Sequence, residues 1–316
     1  MKHIVFLFLF TSSLTIFSQQ INHPDGNYAL INGAKIWYET EGEGEPLLII
    51  PGGPGNSHTY FHPWFSELAN DYQLIYLDAF GRGKSDRADD PAEYTFERDV
   101  EDIELLRQTL KFKKWNVFGH SYGGMVAQAY ALKYTESVNK VILSNSFYSG
   151  EMWQANNNSC NYELKNQLPE VWDKVKKLRD EGFVSSSPEH QEAYALPSSL
   201  LYYYDGTNAS KVSRDSLIMN TEVYYTLVGF DGDFIIGGDV SKLDFRQDLK
   251  DLNMPVLIIE GRYDRVAIPK WSVKFKEYAP QAEFVMFEKS GHAPYIEETE
   301  KFFNLLNEFL SNSEYK

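Results

Sequence analysis

The sequence predicts an α/β protein: a mostly parallel, eight-stranded sheet flanked by helices and interrupted once by an inserted helical cap. Three observations predict it. Short, near-continuous apolar runs alternate with amphipathic stretches, the pattern of parallel strands buried on both faces by crossover helices. That rhythm lapses between about residues 147 and 240 and then resumes. A Gly-x-Ser-x-Gly run, Gly119-His120-Ser121-Tyr122-Gly123, stands between a strand pattern and a helix pattern.

Taken in order, residues 1–18 read as a secretory signal peptide. Lys2 precedes the apolar run Ile4–Phe10, and Ser/Thr residues lead to a small-residue exit near Ser18. Seven apolar residues are far fewer than the roughly 20 that span a bilayer. The expectation is a secreted or periplasmic protein without stable membrane insertion. Residues 19–146 then form the first part of the core. Its strands are expected at Tyr28–Ile31, Lys35–Thr40, Leu47–Ile50, Leu74–Leu77, Asn116–Phe118 and Lys140–Leu143. Asn32-Gly33 between the first two predicts a type I′ hairpin, so the sheet begins antiparallel. Helical periodicity covers Phe96–Leu110 and Met125–Tyr134.

Residues 147–240 are aromatic and Asn/Ser-rich, with helical patterns at Pro169–Glu181 and Ser213–Val228 and no convincing strand. We read them as a cap inserted into the core, because the sheet needs the segments on both sides. Residues 241–316 complete it, with strands at Val256–Ile259 and Glu283–Phe287 and helices at Trp271–Tyr278 and Glu297–Leu310.

Composition narrows the partners. The 316 residues carry 45 Asp and Glu against 30 Lys and Arg, a formal charge of -15. Nucleic-acid binding, which needs a basic face, is excluded as an expectation, and adhesion to an anionic membrane is disfavoured. The single cysteine, Cys160, rules out an intramolecular disulfide and a multi-thiolate zinc site. His58 and His62 show no metal-ligand spacing with carboxylates, and no Gly-x-Gly-x-x-Gly opens a dinucleotide fold. Neither metal nor cofactor is expected.

The chemistry centres on Ser121. A nucleophile on a tight strand-to-helix turn adopts a strained backbone, so the flanking positions must be small, and the turn presents its Oγ at a helix N-terminus. Serine needs a base. In this architecture the chain order is Ser, acid, His, which leaves His190, inside the cap, and His292. His292 follows a strand in Ser290-Gly291-His292-Ala293, at the carboxyl edge where open α/β sheets build their sites. It is the expected base. Asp264, on the loop beyond Val256–Ile259, is the expected orienting acid, since Glu260 is still at the strand end and Ser144-Asn145-Ser146 offers no carboxylate. Oxyanion donors are expected from the Tyr122 N–H and the Gly53 N–H of Pro51-Gly52-Gly53-Pro54-Gly55. Asp78 reads as part of a bracing loop, and Tyr202-Tyr203-Tyr204 as cap packing rather than substrate stacking.

With these residues in hand, the chain resembles an α/β-hydrolase with a lid, and within that superfamily the proline iminopeptidase family of serine peptidases. The resemblance covers roughly residues 27–312. It rests on Gly52–Gly55, the run Asp78–Asp86, the Ser121 elbow, Tyr263-Asp264 and Gly291-His292. In the cap, Val223–Phe234 is similar to the family stretch V-Y-x-T-M-x-G-P-x-E-F. The resemblance implies an aminopeptidase that releases N-terminal proline or other residues from short peptides. It also implies that Asp233, where the family has Glu, binds the substrate's free amine through a carboxylate one methylene shorter. Two other positions depart from the family pattern: Pro51 replaces the usual His, and His120 a small neighbour of the nucleophile. Three readings stay open: a short-peptide aminopeptidase; a carboxylesterase or carbon–carbon bond hydrolase on the same triad, acting on a small ester or amide; and a non-catalytic ligand-binding protein. Oligomeric state is not readable from the sequence.

Overall fold

The computed structural model describes residue 24 and residues 26–194, 201–212 and 218–312. The expected signal peptide lies outside the described residues, as does part of the expected helix Ser213–Val228. Eight strands form one sheet: β1 (Gly26–Ile31), β2 (Ala34–Glu41), β3 (Glu45–Ile50), β4 (Tyr72–Asp78), β5 (Trp115–His120), β6 (Val138–Ser144), β7 (Val256–Gly261) and β8 (Glu283–Phe287). Their order is β1-β2-β4-β3-β5-β6-β7-β8. β1 pairs antiparallel with β2 and β2 with β4; every later pairing is parallel. Asn32 and Gly33 both take positive φ, 48° and 79°, as a type I′ hairpin turn requires.

The central strands read as unbroken apolar runs because each face meets its own core. Leu48, Ile50, Val117, Val141, Leu143 and Ile258 point into one cluster. Their alternate neighbours Leu47, Ile49, Phe118, Ile142, Leu257 and Ile259 point into the other. The two-residue period of a strand distributes them.

Helices α1 (Phe96–Thr109) and α2 (Tyr122–Lys133) follow β4 and β5. Thr95 caps α1 by accepting from the Arg98 N–H. Between β6 and β7 come α3 (Gly150–Gln167), α4 (Pro169–Asp180), α5 (Pro188–Tyr194) and α6 (Thr221–Val228). α6 starts at Thr221, because residues 218–220 are used otherwise. Asn56 and Met219 form an antiparallel bridge, and Asn220 caps the helix. The expected helix at 271–278 is two short turns, Pro269–Ser272 and Phe275–Tyr278. The Lys274 and Lys276 N–H groups bond three residues back, a tightening that buries Phe275 and leaves Val273 exposed. Among the described residues, no helix is long and apolar enough to cross a membrane.

Candidate active site

Ser121 sits between β5 and α2 at φ 56°, ψ -122°, a conformation that costs a non-glycine residue about 1–3 kcal/mol. Its surroundings hold it there. The Ser121 N–H donates to Ser144 O at 2.9 Å, and Ser121 O accepts from the Gly124 N–H at 2.9 Å and from Ser146 Oγ at 2.8 Å. The flanking glycines have a packing reason. A Cβ on Gly119 would stand 2.3 Å from Gly123 O, and one on Gly123 would stand 2.3 Å from Ile50 O. Ser121 and His292 line one cavity of about 500 Å³, counting its open mouth, together with Gly52, Gly53, Tyr202 and Tyr295.

His292 leaves the sheet after β8 and Asp264 after β7, and the two meet, with Nδ1 of His292 2.7 Å from Asp264 Oδ2. Both are 2% exposed. Asp264 is over-determined as an acceptor. Its Oδ1 takes the Val266 and Ala267 N–H groups at 2.7 and 2.9 Å, and Oδ2 also takes Asn145 Nδ2 at 2.9 Å. The His292 N–H donates to the cap through Tyr202 O at 2.7 Å. The structure thus brings a serine and a histidine to one cavity and pairs the histidine with a buried carboxylate, the three carried by three strand ends of one sheet.

The α/β hydrolase fold family matches residues 45–299. This chain belongs to that family. Proline iminopeptidases are among its relatives. That of Heyndrickxia coagulans is 28% identical over 275 residues, covering 87% of this chain and 93% of the relative. That of Saccharolobus solfataricus is 28% identical over 302 residues, covering 94% and 95%. The proline iminopeptidase structure of Mycobacterium smegmatis superposes with a TM-score of 0.73 at 22% identity, covering 90% of this chain and 97% of the other.

Among the described residues, the Gly53 and Tyr122 N–H groups have no acceptor. The neighbouring Gly52 N–H is spent on Tyr60 Oη at 2.6 Å. Tyr60 Oη then meets His120 Nδ1 at 3.0 Å, and His120 Nε2 meets His292 O at 2.8 Å. Burial and the nearby His292 push His120 down to about 3, so it is neutral. The carbonyl of His292 only accepts, so Nε2 carries the proton and Nδ1 accepts from Tyr60. One chain of hydrogen bonds thus ties the Gly52 loop, the elbow and the histidine loop together.

A second brace is ionic. Arg82 forks onto Asp99 at 2.6 and 2.7 Å and donates to Pro54 O at 2.6 Å, while Tyr122 Oη donates to Asp99 Oδ2 at 2.7 Å. A third stands behind the loop, where His58 lies between Asp78 Oδ1 at 2.8 Å and Glu39 Oε2 at 3.1 Å. Burial opposes charge on His58, but the two carboxylates raise it to about 9. The bracing role expected of Asp78 is therefore realised through His58. The expectation that His58 and His62 lack a ligating carboxylate needs correction. β2 brings Glu39 to them, and one donor atom from each of the three lies within 4.8 Å of the others. These are the residues that could hold a metal ion among those described. With Asp78 on its other nitrogen, His58 is equally suited to be an imidazolium.

Over the carboxyl edge, the segment between β6 and β7 touches both loops. Ser57 N–H donates to Ile218 O and Asn220 N–H to Gly55 O, at 2.9 and 2.8 Å. Tyr202 and Tyr203 line the cavity, so two of the three tyrosines assigned to cap packing face the site. Asp233 is not among the lining residues. Its charge is felt by Tyr202, which lines the cavity, and by Tyr224 and Tyr194. Burial raises Asp233 to about 7. A Ser185 hydrogen bond and the Arg179 charge both work against that rise without offsetting burial. Arg179 is committed to Asp231 at 2.6 and 2.8 Å, and His190 Nδ1 stands 3.9 Å away with its own pKa lowered by burial and Arg179.

Sequence reasoning missed Asn145, Tyr60 and the Arg82–Asp99 pair. Asn145 carried a usable signal, being a polar residue at the carboxyl end of a central strand. The others act through contacts between residues far apart in the chain, which no local pattern marks.

Proposed function

We propose that this hydrolase is a serine aminopeptidase that releases N-terminal residues, proline among them, from short peptides through an acyl-enzyme. Ser121 Oγ attacks the carbonyl, and His292 Nε2 takes its proton and returns it to the leaving amine. Asp264 holds the imidazole by Nδ1 and stabilises its positive charge. The Gly53 and Tyr122 N–H groups receive the oxyanion. The acyl-enzyme is then opened by water along the same route. Asp233 binds the free α-amine, which reaches it alongside Tyr202.

The observation that supports the amine-specific reading is the largely buried carboxylate of Asp233, electrostatically close to Tyr202 of the cavity wall, held by Ser185 and without a basic side chain committed to it. A cationic amine would supply its missing partner. The test compares the mature chain and Ser121→Ala on prolyl, alanyl and leucyl arylamides, their N-blocked forms and p-nitrophenyl esters. Cleavage confined to free-amine arylamides supports the reading. Ester turnover without amide turnover replaces it with an esterase, and failure of a fluorophosphonate to label Ser121 removes the catalytic assignment. Residues 1–18 are proposed to direct export; fractionation of cells expressing the full chain tests this, and retention in the cytoplasm refutes it.

A further inference from the structure

Glu260, at the end of β7, is 1% exposed and within hydrogen-bonding reach of Asp264. Both carboxyl groups accept from the same nitrogen, Asn145 Nδ2, at 3.2 Å for Glu260 Oε1 and 2.9 Å for Asp264 Oδ2. Glu260 Oε1 also accepts the Gly261 N–H at 3.1 Å. Two carboxyl groups this close in a dry pocket cannot both be ionised without a cation between them. Asp264 is the one built to be the anion, because two backbone N–H groups and the His292 ring converge on it.

Around Glu260 stand Asp264 (which in turn holds His292), Asn145 from the end of β6, and Ser272 from the turn after β7. Farther out, Cys160 from α3 and Tyr202 from the cap sense the charge of Asp264. Arg265, on the same loop, pairs with Glu163 at 2.9 Å. Among the described residues, no Lys or Arg pairs with Glu260. Burial and the adjacent Asp264 both push its carboxyl well above the usual range. The Ser272 side chain also hydrogen-bonds to this carboxyl and partly opposes that rise; with Oε1 accepting from Asn145 and Gly261, the proton is assigned to Oε2.

We propose that Glu260 is a positioning residue: a neutral carboxylic acid that donates a hydrogen bond to Asp264 and so fixes the Asp264–His292 pair. This rests on the triad reading above. The donated bond takes up part of the negative charge of Asp264. Without it, Asp264 holds the proton of His292 more tightly and the base is lost at a higher pH. Glutamine can supply the same donor from an amide; leucine cannot.

The experiment uses the mature chain and two variants, Glu260→Gln and Glu260→Leu, with two readouts. One is the pH dependence of fluorophosphonate labelling at Ser121. The other is the low-field proton resonance of His292 Nδ1–H. Glu260→Leu is expected to move the acid limb of the labelling profile up by about one pH unit, roughly a tenfold slower rate on that limb, and to displace the resonance. Glu260→Gln is expected to recover most of both and to extend the alkaline limb, because an amide cannot ionise beside Asp264. If Glu260→Leu does not fold, that alkaline extension decides the matter on its own. Equal displacement by Gln and Leu, or none by either, overturns the proposal, as does absence of the resonance from the parent chain. Loss of labelling in the parent chain with the variant-dependent resonance intact would overturn the triad reading and leave Glu260 standing.

Discussion

Replacing Asp233 by asparagine keeps the shape of the side chain and removes its charge, which makes it the sharpest probe of the amine site. An amine hydrogen-bonded to a carboxylate contributes about 2–3 kcal/mol, so kcat/KM on free-amine arylamides should fall roughly 30- to 150-fold. N-acetylated arylamides and simple esters should change little. The pH dependence follows from the raised pKa of about 7. Below it the carboxyl is protonated and binds an amine poorly; above it the carboxylate is ready. The parent enzyme should therefore gain efficiency on amine substrates as pH rises through 7, until the substrate amine itself deprotonates near about 8, and Asp233→Asn should lack that gain. Stability moves the opposite way. The folded-state pKa lies above the ordinary aspartate value of 3.8, so the folded chain binds this proton more tightly than the unfolded one. The site then loses stability as pH rises from about 3.8 to about 7. Asp233→Asn should melt a few degrees higher at pH 8, with little difference near pH 4. Steady-state kinetics on matched free and acetylated substrates, with thermal melts at both pH values, read all of this. Equal loss on both substrate types, or an unchanged pH profile, would refute the amine-binding role.

Three further outcomes test the rest of the site. Asp264→Asn should lower kcat on any cleaved substrate about 10⁴-fold with KM little altered, since His292 would be left in the wrong tautomer; steady-state kinetics measure it. Asp99→Ala strands the buried Arg82 guanidinium and should cost about 3–5 kcal/mol of stability, seen as a lower denaturation midpoint in urea. His58→Gln removes an imidazolium whose pKa is raised to about 9. Its stabilising contribution is whole below pH 6.5 and disappears as pH passes about 9, so the melting deficit of the variant should be large at pH 6 and shrink by pH 10.

The sheet was legible because its central strands announce themselves, with runs such as Val256–Ile259 bounded by turn residues. That Asp264 and His292 meet, and that Ser121 shares a cavity with His292, was legible because strand ends and chain order restrict where such groups can stand. Asp264 could be preferred to Glu260 on reach alone. What escaped was the state of Glu260: a sequence shows a glutamate, whereas its charge depends on Asn145 and Asp264 folding against it. Tyr60 and His120 escaped for a similar reason, since their value lies in a three-bond chain to the His292 carbonyl. The cap was the least legible part. The residues before α6 carry a helical period, yet 218–220 run extended because the Gly55–Ser57 loop offers them hydrogen-bonding partners.

Those bridges, with the Tyr202 carbonyl on the His292 N–H, have a bearing on engineering. Specificity in a lidded enzyme invites transplantation of the lid from a relative. Here the segment between β6 and β7 is hydrogen-bonded to the loop that carries Gly53 and to the loop that carries His292. A chimera exchanging residues 147–240 alone would replace one side of both seams and leave the other side unmatched. A productive graft has to carry residues 52–57 and 289–293 along with it, so the unit of exchange is the lid together with its two seams.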